Sequence, residues 1–497
     1  MRQNEDRTTK GRENGGDEAQ SSFLDGIEVP ATENLDSPPR RRRLHLYLSV
    51  FVLNLVFVVC GTTFSWSSPM LIKLQLPDDE GSTVASLVTL GSVFGPFVSG
   101  ALLNCWGRKW TMGLSMGLMT ASYTLLTVAD GFTLLALGRL LGGFTIGIAF
   151  SSVPLYVAEI SEDSLRGILN NLYHISCCIG SLLMYSIGPY FSYQTTHFVM
   201  LGLCGFFFLL FPLLPESPHL LVMKGRTDRA RDTLFWLRGN GAGDRVDKEL
   251  QTIQTTVHHN RAQPGTMREL FTSRGNRRAL MICSSLFALQ QLCGIIFVAF
   301  YTETIFRMTG TSLSSSVCAI VLGVINTVSG LLCPLAVKTL GYRRALLVST
   351  SGSAVGMGGL GVFFWLKQHD YTLVQSINWF PLLSLVVFSV FYDAGIINIP
   401  WAICGELFPS NVKPLATTLL TAGTGILATS LAKLFPTLVR LMGVDYVFLT
   451  CALFCCLTVA FSALVVQDTS GMSLAEIQNM MNGTRRKNET QNRANVI

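Results

Sequence analysis

Long apolar stretches alternate with short polar turns along most of this chain. A helix that crosses a bilayer needs about 20 consecutive, mostly apolar residues. Hydropathy along the sequence gives about twelve stretches of this length, which we call spans 1 to 12 in chain order. Their centres lie near Leu55, Val93, Gly117, Gly143, Gly180, Phe207, Phe287, Ile325, Val355, Val387, Gly425 and Cys455. The pattern therefore predicts an all-α polytopic membrane protein.

Composition agrees with this interpretation. Of the 497 residues, 49% are hydrophobic and 14% are charged, and the mean hydropathy is +0.43. The charged residues collect at the two ends of the chain and in its middle. We therefore predict a tail (1–43), a six-helix half (44–214), a linker with short amphipathic helices (215–277), a second six-helix half (278–466) and a second tail (467–497). The first tail has no signal-peptide pattern, because about forty mostly polar residues precede the first apolar run.

The distribution of Lys and Arg predicts the orientation of the spans. One set of alternate turns is rich in basic residues, and the opposite set has few. The basic set contains Arg108, Lys109, Arg166, Lys338, Arg343, Arg344, Lys413 and the basic residues between Lys224 and Arg278. Because basic turns remain in the cytoplasm, we expect both termini there, with the protein in the plasma membrane. The net charge of +6 reflects this asymmetry, and no nucleic-acid partner is expected because the chain has no basic surface domain.

The cysteines do not indicate redox or metal chemistry. None of the thirteen forms a CxxC pair, and Cys177–Cys178 and Cys455–Cys456 lie within apolar runs. The pattern is typical of small, polarisable core residues. We expect no metal and no cofactor. Because nothing resembles a nucleophile with its base or a phosphate-binding loop, we also expect that the protein is not an enzyme.

Short charged turns repeat along the chain. Gly107–Lys109 recurs as Gly341–Arg344, Glu159 as Glu406, and Glu216 as Asp468, at offsets of 234, 247 and 252 residues. The near-constant offset indicates two copies of a unit of about six spans, in the same orientation because an even number of spans separates them. Parallel repeats related by an axis along the membrane normal place a central cavity between the two halves.

The sequence resembles a sugar porter of the major facilitator superfamily over residues 44–478. The segments that carry the resemblance are Gly107–Lys109, Gly138–Gly167, Pro215–Pro218, Gln290–Gly294, Gly323–Thr327, Ile399–Pro409 and Gln467–Gly471. The segments that further resemble arthropod trehalose and hexose facilitators are Gly61–Pro69, Trp236–Gly239 and Phe300–Phe306. The resemblance implies the major facilitator fold, with two parallel six-helix halves, and facilitated sugar transport by alternating access.

Two adjacent glutamines interrupt the apolar span 7. Gln290 and Gln291 are about 100° apart on a helix, so both can face the central cavity. A side-chain amide offers donors and acceptors that match a sugar hydroxyl. The alternative is that one glutamine bonds a neighbouring helix, as polar residues in membrane bundles do. The resemblance implies sugar contacts for Gln290, Gln291, Asn326 and Trp401, with Trp401 as a flat apolar floor for a pyranose ring.

Other positions depart from the family pattern. Asp393, deep in span 10, stands where the glucose facilitators have a glutamate, and it is either functional or part of a closed salt bridge. His174 replaces the sugar-binding glutamine of span 5, and Ile296 replaces an asparagine of span 7. In span 11, Thr424–Gly425 replaces an Asn-Trp pair. We expect a larger and drier pocket, suited to a disaccharide-like or less hydroxylated substrate, and the choice between these stays open.

Span 1 provides the main evidence on whether transport is coupled to protons. Proton-driven relatives carry an aspartate there, and residues 44–76 contain no acidic residue. Facilitated diffusion is therefore favoured. Asp393 and His174 keep a proton-coupled sugar or polyol symporter open, because histidine titrates near neutral pH. A transporter-like sugar sensor is a further alternative.

The charged turns are candidates for a cytoplasmic gate. The resemblance implies that they pair across the halves when the cavity faces outward. The candidate gate residues are Arg108, Lys109, Glu159, Arg166, Glu216, Arg343, Arg344, Glu406 and Lys413. Two family acids are missing, since Asn104 and Lys338 occupy their positions. We therefore expect the inward-facing state to be the more populated one at rest. We also expect the transporter to function as a monomer, with the sugar and the lipid bilayer as its partners.

Overall fold

The computed structural model describes residues 43–239, 243–262, 266–311, 313–369, 371–409, 411–468, 476–477 and 480–481. The secondary structure within these ranges is helical, and they contain no strand. The predicted tails 1–43 and 467–497 lie almost entirely outside the described residues.

The first half of the chain forms spans 1 to 6. Their bounds are Leu44–Ser65 with Ser67–Leu74 for span 1, then Asp78–Cys105, Arg108–Thr127, Phe132–Ile160, Asp163–Ile187 and Tyr193–Leu210. A short 3-10 turn, Phe211–Leu213, continues span 6. Two buried, oppositely placed glycines show why spans 2 and 4 pack closely. A Cβ atom on Gly91 would lie 2.2 Å from the carbonyl oxygen of Leu140, and one on Gly143 would lie 2.0 Å from that of Val88.

The second half forms spans 7 to 12, and two of these helices are broken. Span 7 comprises Arg274–Gln290, Gln291–Ile295 and Ile296–Thr309; span 8 is Ser315–Ser329; span 9 lies in Leu332–His369; span 10 comprises Phe380–Ala394 and Ile399–Leu407; spans 11 and 12 are Lys413–Met442 and Val444–Leu464. A short helix, Tyr371–Ser376, connects spans 9 and 10.

The length and composition of the helices suit a membrane. Ten of the described helices, including the segments of spans 1, 7 and 10 taken together, are long and apolar enough to cross a bilayer. Ser315–Ser329 is a shorter apolar helix. Arg108–Thr127 has 20 residues but is not one of these ten helices. Its first turn is basic, and several of its residues are Ser, Thr or Gly, which lowers its hydropathy. These ten helices, Ser315–Ser329 and Arg108–Thr127 lie at the positions of the twelve predicted spans.

The turns that begin spans 3 and 9 share one backbone conformation. Gly107 has φ 102° and ψ 173°, and Gly341 has φ 73° and ψ 172°. Only glycine adopts this region without strain, because a Cβ atom would clash with the backbone. The sequence repeat is therefore also a repeat of local structure.

Contacts between the halves run along three pairs of spans. Span 2 packs on span 11, span 5 packs on span 8, and the last part of span 1 packs on the last part of span 7. Within the halves, span 4 packs on spans 2 and 3, and span 9 packs on spans 10 and 12. The turns after even-numbered spans lie at one end of the bundle, which we call the basic end; the other end is the opposite end.

The polar middle of the chain folds as four helices of 6 to 20 residues. They are Pro218–Met223, Thr227–Arg238, Gly243–Ala262 and Met267–Thr272. The first three bury a small apolar core of their own, formed by Leu221, Ala230, Leu234, Val246, Leu250, Ile253 and Val257. Arg238 joins this layer to the bundle, because its guanidinium donates to the carbonyl oxygen of Ile160 at 2.8 Å and pairs with Glu249 at 2.6 Å.

Candidate functional site

The candidate residues lie around breaks in spans 7 and 10. Span 7 widens into a π turn at Gln291–Ile295, where Gly294 has φ 95°. Span 10 stops at Ala394 and starts again at Ile399. Such breaks release backbone groups from the helical ladder, and discontinuous helices often form the binding sites of transporters.

Gln290 closes the break in span 10. Its side-chain nitrogen donates to the carbonyl oxygens of Ile396 and Ile397 at 2.8 and 2.9 Å. The Tyr392 hydroxyl donates in turn to the backbone oxygen of Gln290 at 3.2 Å. Gln290 is only 4% exposed. The structure therefore places one of the two glutamines against a neighbouring helix, and its sugar contact stays a prediction.

Gln291 and Asn326 each have a side-chain oxygen that lacks a hydrogen-bond partner in the described part of the chain. The Oε1 atom of Gln291 and the Oδ1 atom of Asn326 are buried and have no hydrogen-bond partner among the described residues. The same is true of Asn170 Oδ1 in span 5 and Asn398 Nδ2 in the break of span 10. A buried polar atom without a partner costs about 1–3 kcal/mol, so four such amides favour a hydroxyl-bearing ligand or water.

Two of these amides were not singled out from the sequence. Asn170 is four residues before His174, so both lie on one face of span 5, and this spacing was a usable signal. Asn398 precedes the Ile399–Pro409 motif, and its Oδ1 atom accepts a hydrogen bond from the Tyr173 hydroxyl at 3.2 Å. That bond joins span 5 of the first half to span 10 of the second.

His174 and Asp393 also meet across the halves. His174 Nε2 lies 3.9 Å from Asp393 Oδ1, and both residues are buried. Ser329 of span 8 donates to the other carboxylate oxygen at 2.5 Å. The sulfur of Cys178 lies 3.7 Å from His174 Nε2. Spans 5, 8 and 10 therefore bring two titratable groups and a hydroxyl together, and Ser329 was not predicted from the sequence.

Trp401 lies beside span 7. Its ring is 4.6 Å from that of Phe287, with an interplanar angle of 71°. Pro400 occupies the first turn of Ile399–Leu407, where its missing N–H has no cost, so the helix starts just before Trp401. Trp401 is only partly buried. One side of the Trp401 ring packs on Phe287. The role of Trp401 as a floor for the sugar stays a prediction.

The departures in span 11 have a different structural effect from the one expected. A Cβ atom on Gly425 would lie 2.7 Å from Val93 Cγ2, so Gly425 faces span 2. The Thr424 hydroxyl donates to the carbonyl oxygen of Leu420 at 2.7 Å, within its own helix. The small residue at 425 thus lets the two halves approach each other, and a wider pocket at this point does not follow. Ile296 in span 7 is partly buried.

At the opposite end, polar groups join the halves directly. The Glu303 N–H donates to Ser68 Oγ at 3.1 Å, between spans 7 and 1. Lys433 Nζ donates to the carbonyl oxygen of Asp79 at 2.8 Å, between spans 11 and 2. The Tyr185 hydroxyl of span 5 donates to the carbonyl oxygen of Ala299 in span 7 at 3.3 Å, so three pairs of spans are linked here.

At the basic end, the first-half turns are bonded within their own half. Arg108 pairs with Glu159 through two bonds of 2.7 and 2.8 Å, and both side chains are buried. Glu216 Oε1 accepts from the backbone N–H groups of Arg108 at 2.9 Å and Ser217 at 3.0 Å. Burial lowers the pKa of the neighbouring His219 imidazole, and the Glu159 carboxylate partly opposes that shift.

The remaining gate candidates lie at the same end. Lys109 Nζ donates to the carbonyl oxygen of Pro212 at 3.3 Å, and Arg166 Nε donates to that of Ala158 at 3.2 Å. In the second half, the Tyr342 hydroxyl donates to Glu406 Oε1 at 2.7 Å, and Arg343 donates to the carbonyl oxygen of Ala463. Arg344 is exposed, Lys413 is partly buried, and Asn104 and Lys338 are both exposed.

Comparison with known proteins agrees with this geometry. Residues 45–481 match the family described as "Sugar (and other) transporter", and the chain belongs to that family. A facilitated trehalose transporter Tret1 of Culex quinquefasciatus is 30% identical over 471 residues, covering 92% of this chain and 89% of the relative. A Tret1 of Polypedilum vanderplanki is 29% identical over 462 residues, covering 90% and 91%.

Solved structures show the same fold. The major facilitator proton:xylose symporter XylE, bound to 6-bromo-6-deoxy-D-glucose, has a TM-score of 0.72 at 20% identity, covering 88% of this chain and 99% of XylE. An inward-open form of XylE from E. coli has a TM-score of 0.73 at 18% identity, with the same coverage. The predicted all-α membrane fold of the major facilitator type is confirmed, and the family is one of transporters and not of enzymes.

Proposed function

We propose that this protein moves a sugar, a hexose or a disaccharide such as trehalose, across the plasma membrane by facilitated diffusion with alternating access. The observation that carries the proposal is a set of four side-chain amides, each with one buried atom that lacks a hydrogen-bond partner among the described residues. They come from spans 5, 7, 8 and 10, two of which are broken, and thus from both halves. Membership of the sugar transporter family and the names of the curated relatives support the choice of ligand.

In this proposal Gln291, Asn326, Asn170 and Asn398 bond sugar hydroxyls, and Trp401 lies under the ring. An amide suits this task because it donates and accepts without carrying a charge. Gln290 contributes by holding the break of span 10 in place, since its donors bond the carbonyl oxygens of Ile396 and Ile397.

Alternating access follows from the contacts at the two ends. The two six-helix halves, 44–214 and 278–466, would move as bodies around the site. The two halves contact each other directly at the opposite end. At the basic end, Arg108, Glu159 and Glu216 are bonded inside the first half. This arrangement would be inward-facing if the basic end is cytoplasmic. Both termini would then be cytoplasmic.

One observation favours a second candidate, a proton-coupled symporter. The carboxylate of Asp393 lies deep in span 10, 3.9 Å from the imidazole of His174, and buried ionisable groups in spans often carry protons. Span 1 has no acidic residue, which favours facilitated diffusion.

The test uses purified protein reconstituted in vesicles. Hexoses, trehalose, fructose and polyols are offered as labelled substrates, with and without a pH gradient. We expect saturable, bidirectional flux of at least one sugar that equilibrates without accumulating. Binding of a sugar without flux would replace the proposal with a sensor, and accumulation driven by external acid would replace it with a symporter.

A further inference from the structure

A cavity at the basic end is separate from the sugar site. It has a volume of about 410 Å³ and lies between the turn joining spans 2 and 3 and the helices Pro218–Met223 and Thr227–Arg238. Its lining includes two tryptophans, Trp106 and Trp110, and three basic residues, Lys224, Arg226 and Arg229. None of these five residues serves the sugar site described above.

Two exposed tryptophans indicate that the cavity lies near the level of the membrane surface. Trp106 is 55% exposed and Trp110 is 60% exposed. The Trp110 ring contacts that of Phe211 at 5.7 Å, and Phe211 follows Leu209, which is 73% exposed on the surface of span 6. Exposed leucine on a span faces the lipid chains, and indole rings prefer the adjacent headgroup layer. The cavity therefore opens where lipid headgroups lie.

Three basic side chains line the cavity. Lys224 Nζ donates to the carbonyl oxygen of Cys105 at 3.2 Å, which holds it at the rim. Arg226 immediately precedes the helix Thr227–Arg238 and Arg229 lies in its first turn, and both are exposed.

Two carboxylates also line the cavity. Glu216 is held by backbone N–H groups, including those of Arg108 and Ser217, so its Oε1 atom is already bonded. Asp232 is exposed and remains as the counter-charge to the three basic residues. The lining is therefore net positive.

We propose that this cavity binds the phosphorylated headgroup of an anionic lipid of the cytoplasmic leaflet, with phosphoinositides as the best fit. Guanidinium groups bond phosphate oxygens through paired N–H donors, and two of them line this cavity. The exposed indoles favour a lipid over a soluble phosphate, since they would pack on the glycerol and upper chains. The proposal uses the cytoplasmic orientation of the basic end given under the proposed function.

Bound there, a headgroup connects two parts of the protein. Trp106 lies in the turn between spans 2 and 3 and Trp110 in the first turn of span 3, whereas Arg226 and Arg229 belong to the helix layer of the linker. The lipid would hold that layer against the turn whose Arg108 pairs with Glu159.

The test is native mass spectrometry of the full-length protein with a short-chain phosphatidylinositol bisphosphate, phosphatidylserine, phosphatidylcholine, soluble inositol phosphate or inorganic phosphate. We expect retained adducts with the anionic lipids, strongest for the bisphosphate. The double variant Arg226→Gln with Arg229→Gln should bind that lipid about thirtyfold more weakly (about 2 kcal/mol).

A matched double variant, Arg231→Gln with Arg245→Gln, removes the same charge from the linker but not from the lining of the cavity. It should bind the lipid as the parent does, and an equal loss in both double variants would overturn the site. The double variant Trp106→Ala with Trp110→Ala should bind the lipid more weakly but bind soluble inositol phosphate as the parent does. Equal binding of lipid and soluble phosphate by the parent would overturn the membrane source. None of these outcomes depends on sugar transport, so each is separable from the proposed function.

Discussion

His174 Nε2 and Asp393 Oδ1 lie 3.9 Å apart, and one belongs to each half of the bundle. This separation is too long for a direct hydrogen bond, but a single hydroxyl oxygen can lie within about 2.8 Å of both atoms. Ser329 holds the other carboxylate oxygen in place. Under the proposed alternating access the halves would move relative to each other, so we expect this distance to change during transport.

Alanine substitutions of the two glutamines of span 7 should have different effects, one on stability and the other on sugar affinity. Gln290→Ala leaves the carbonyl oxygens of Ile396 and Ile397 unmet, at about 1–3 kcal/mol for each, so we expect a lower melting temperature and poor surface delivery. Gln291→Ala should keep the parent's melting temperature and lose sugar affinity. Melting curves with uptake kinetics on both variants decide this, and a stable Gln290→Ala protein would show that span 10 does not depend on that amide.

Restoring the family's hydroxyl partners should raise glucose affinity. His174→Gln with Ile296→Asn adds two hydrogen bonds of about 0.5–1.5 kcal/mol each, which together correspond to about 5- to 150-fold tighter binding. Competition of glucose with a transported sugar measures the effect. Ile295→Asn, one residue away on the same turn, serves as the control. An unchanged glucose affinity in the double variant would mean that other positions set selectivity.

Transport should not move protons. Because residues 44–76 contain no acid, addition of substrate to vesicles that hold a pH-sensitive dye should leave the internal pH unchanged. Asp393→Asn keeps the shape of the side chain and can still accept from Ser329, so equilibrating flux should survive in it. Sugar accumulation that follows an acid pulse in the parent and disappears in Asp393→Asn would establish proton coupling through this residue.

Acidic residues restored in the turns at the basic end should change the balance between inward-facing and outward-facing molecules. Asn104→Asp with Lys338→Glu supplies the two carboxylates missing from the family pattern, so we expect a shift from inward-facing to outward-facing molecules. Cys105 is exposed beside this turn, and in a background without the exposed Cys456 its labelling from the cytoplasm should slow. Faster or unchanged labelling would show that these turns do not control the gate.

The buried pair of the first half should behave as a unit. Arg108→Gln leaves Glu159 as an uncompensated buried charge, so we expect a loss of about 3–5 kcal/mol in the free energy of unfolding. Arg108→Gln with Glu159→Gln should lose clearly less than the sum of the single variants. Additive losses, measured by denaturant unfolding in detergent, would mean that the two residues stabilise the turn independently.

The sequence by itself determined the class of fold. Apolar stretches of bilayer length, the side on which basic residues collect, and the repeated turns at Gly107 and Gly341 depend only on local composition and backbone restrictions. For that reason they are readable without coordinates. The resemblance carried by Gln290–Gly294 and Ile399–Pro409 also located the two helices that turn out to be broken.

Only the tertiary structure decided what each polar side chain faces. Helical spacing puts Gln290 and Gln291 about 100° apart, but it does not say which one meets the free carbonyl groups of span 10. Likewise, residues 174 and 393 are 219 positions apart, and no local rule brings them within 3.9 Å. Gly425, at which the sequence predicted a wider pocket, faces Val93 of span 2. In each case the packing of distant helices settles the outcome, because side-chain partners in a bundle come from whichever span lies alongside.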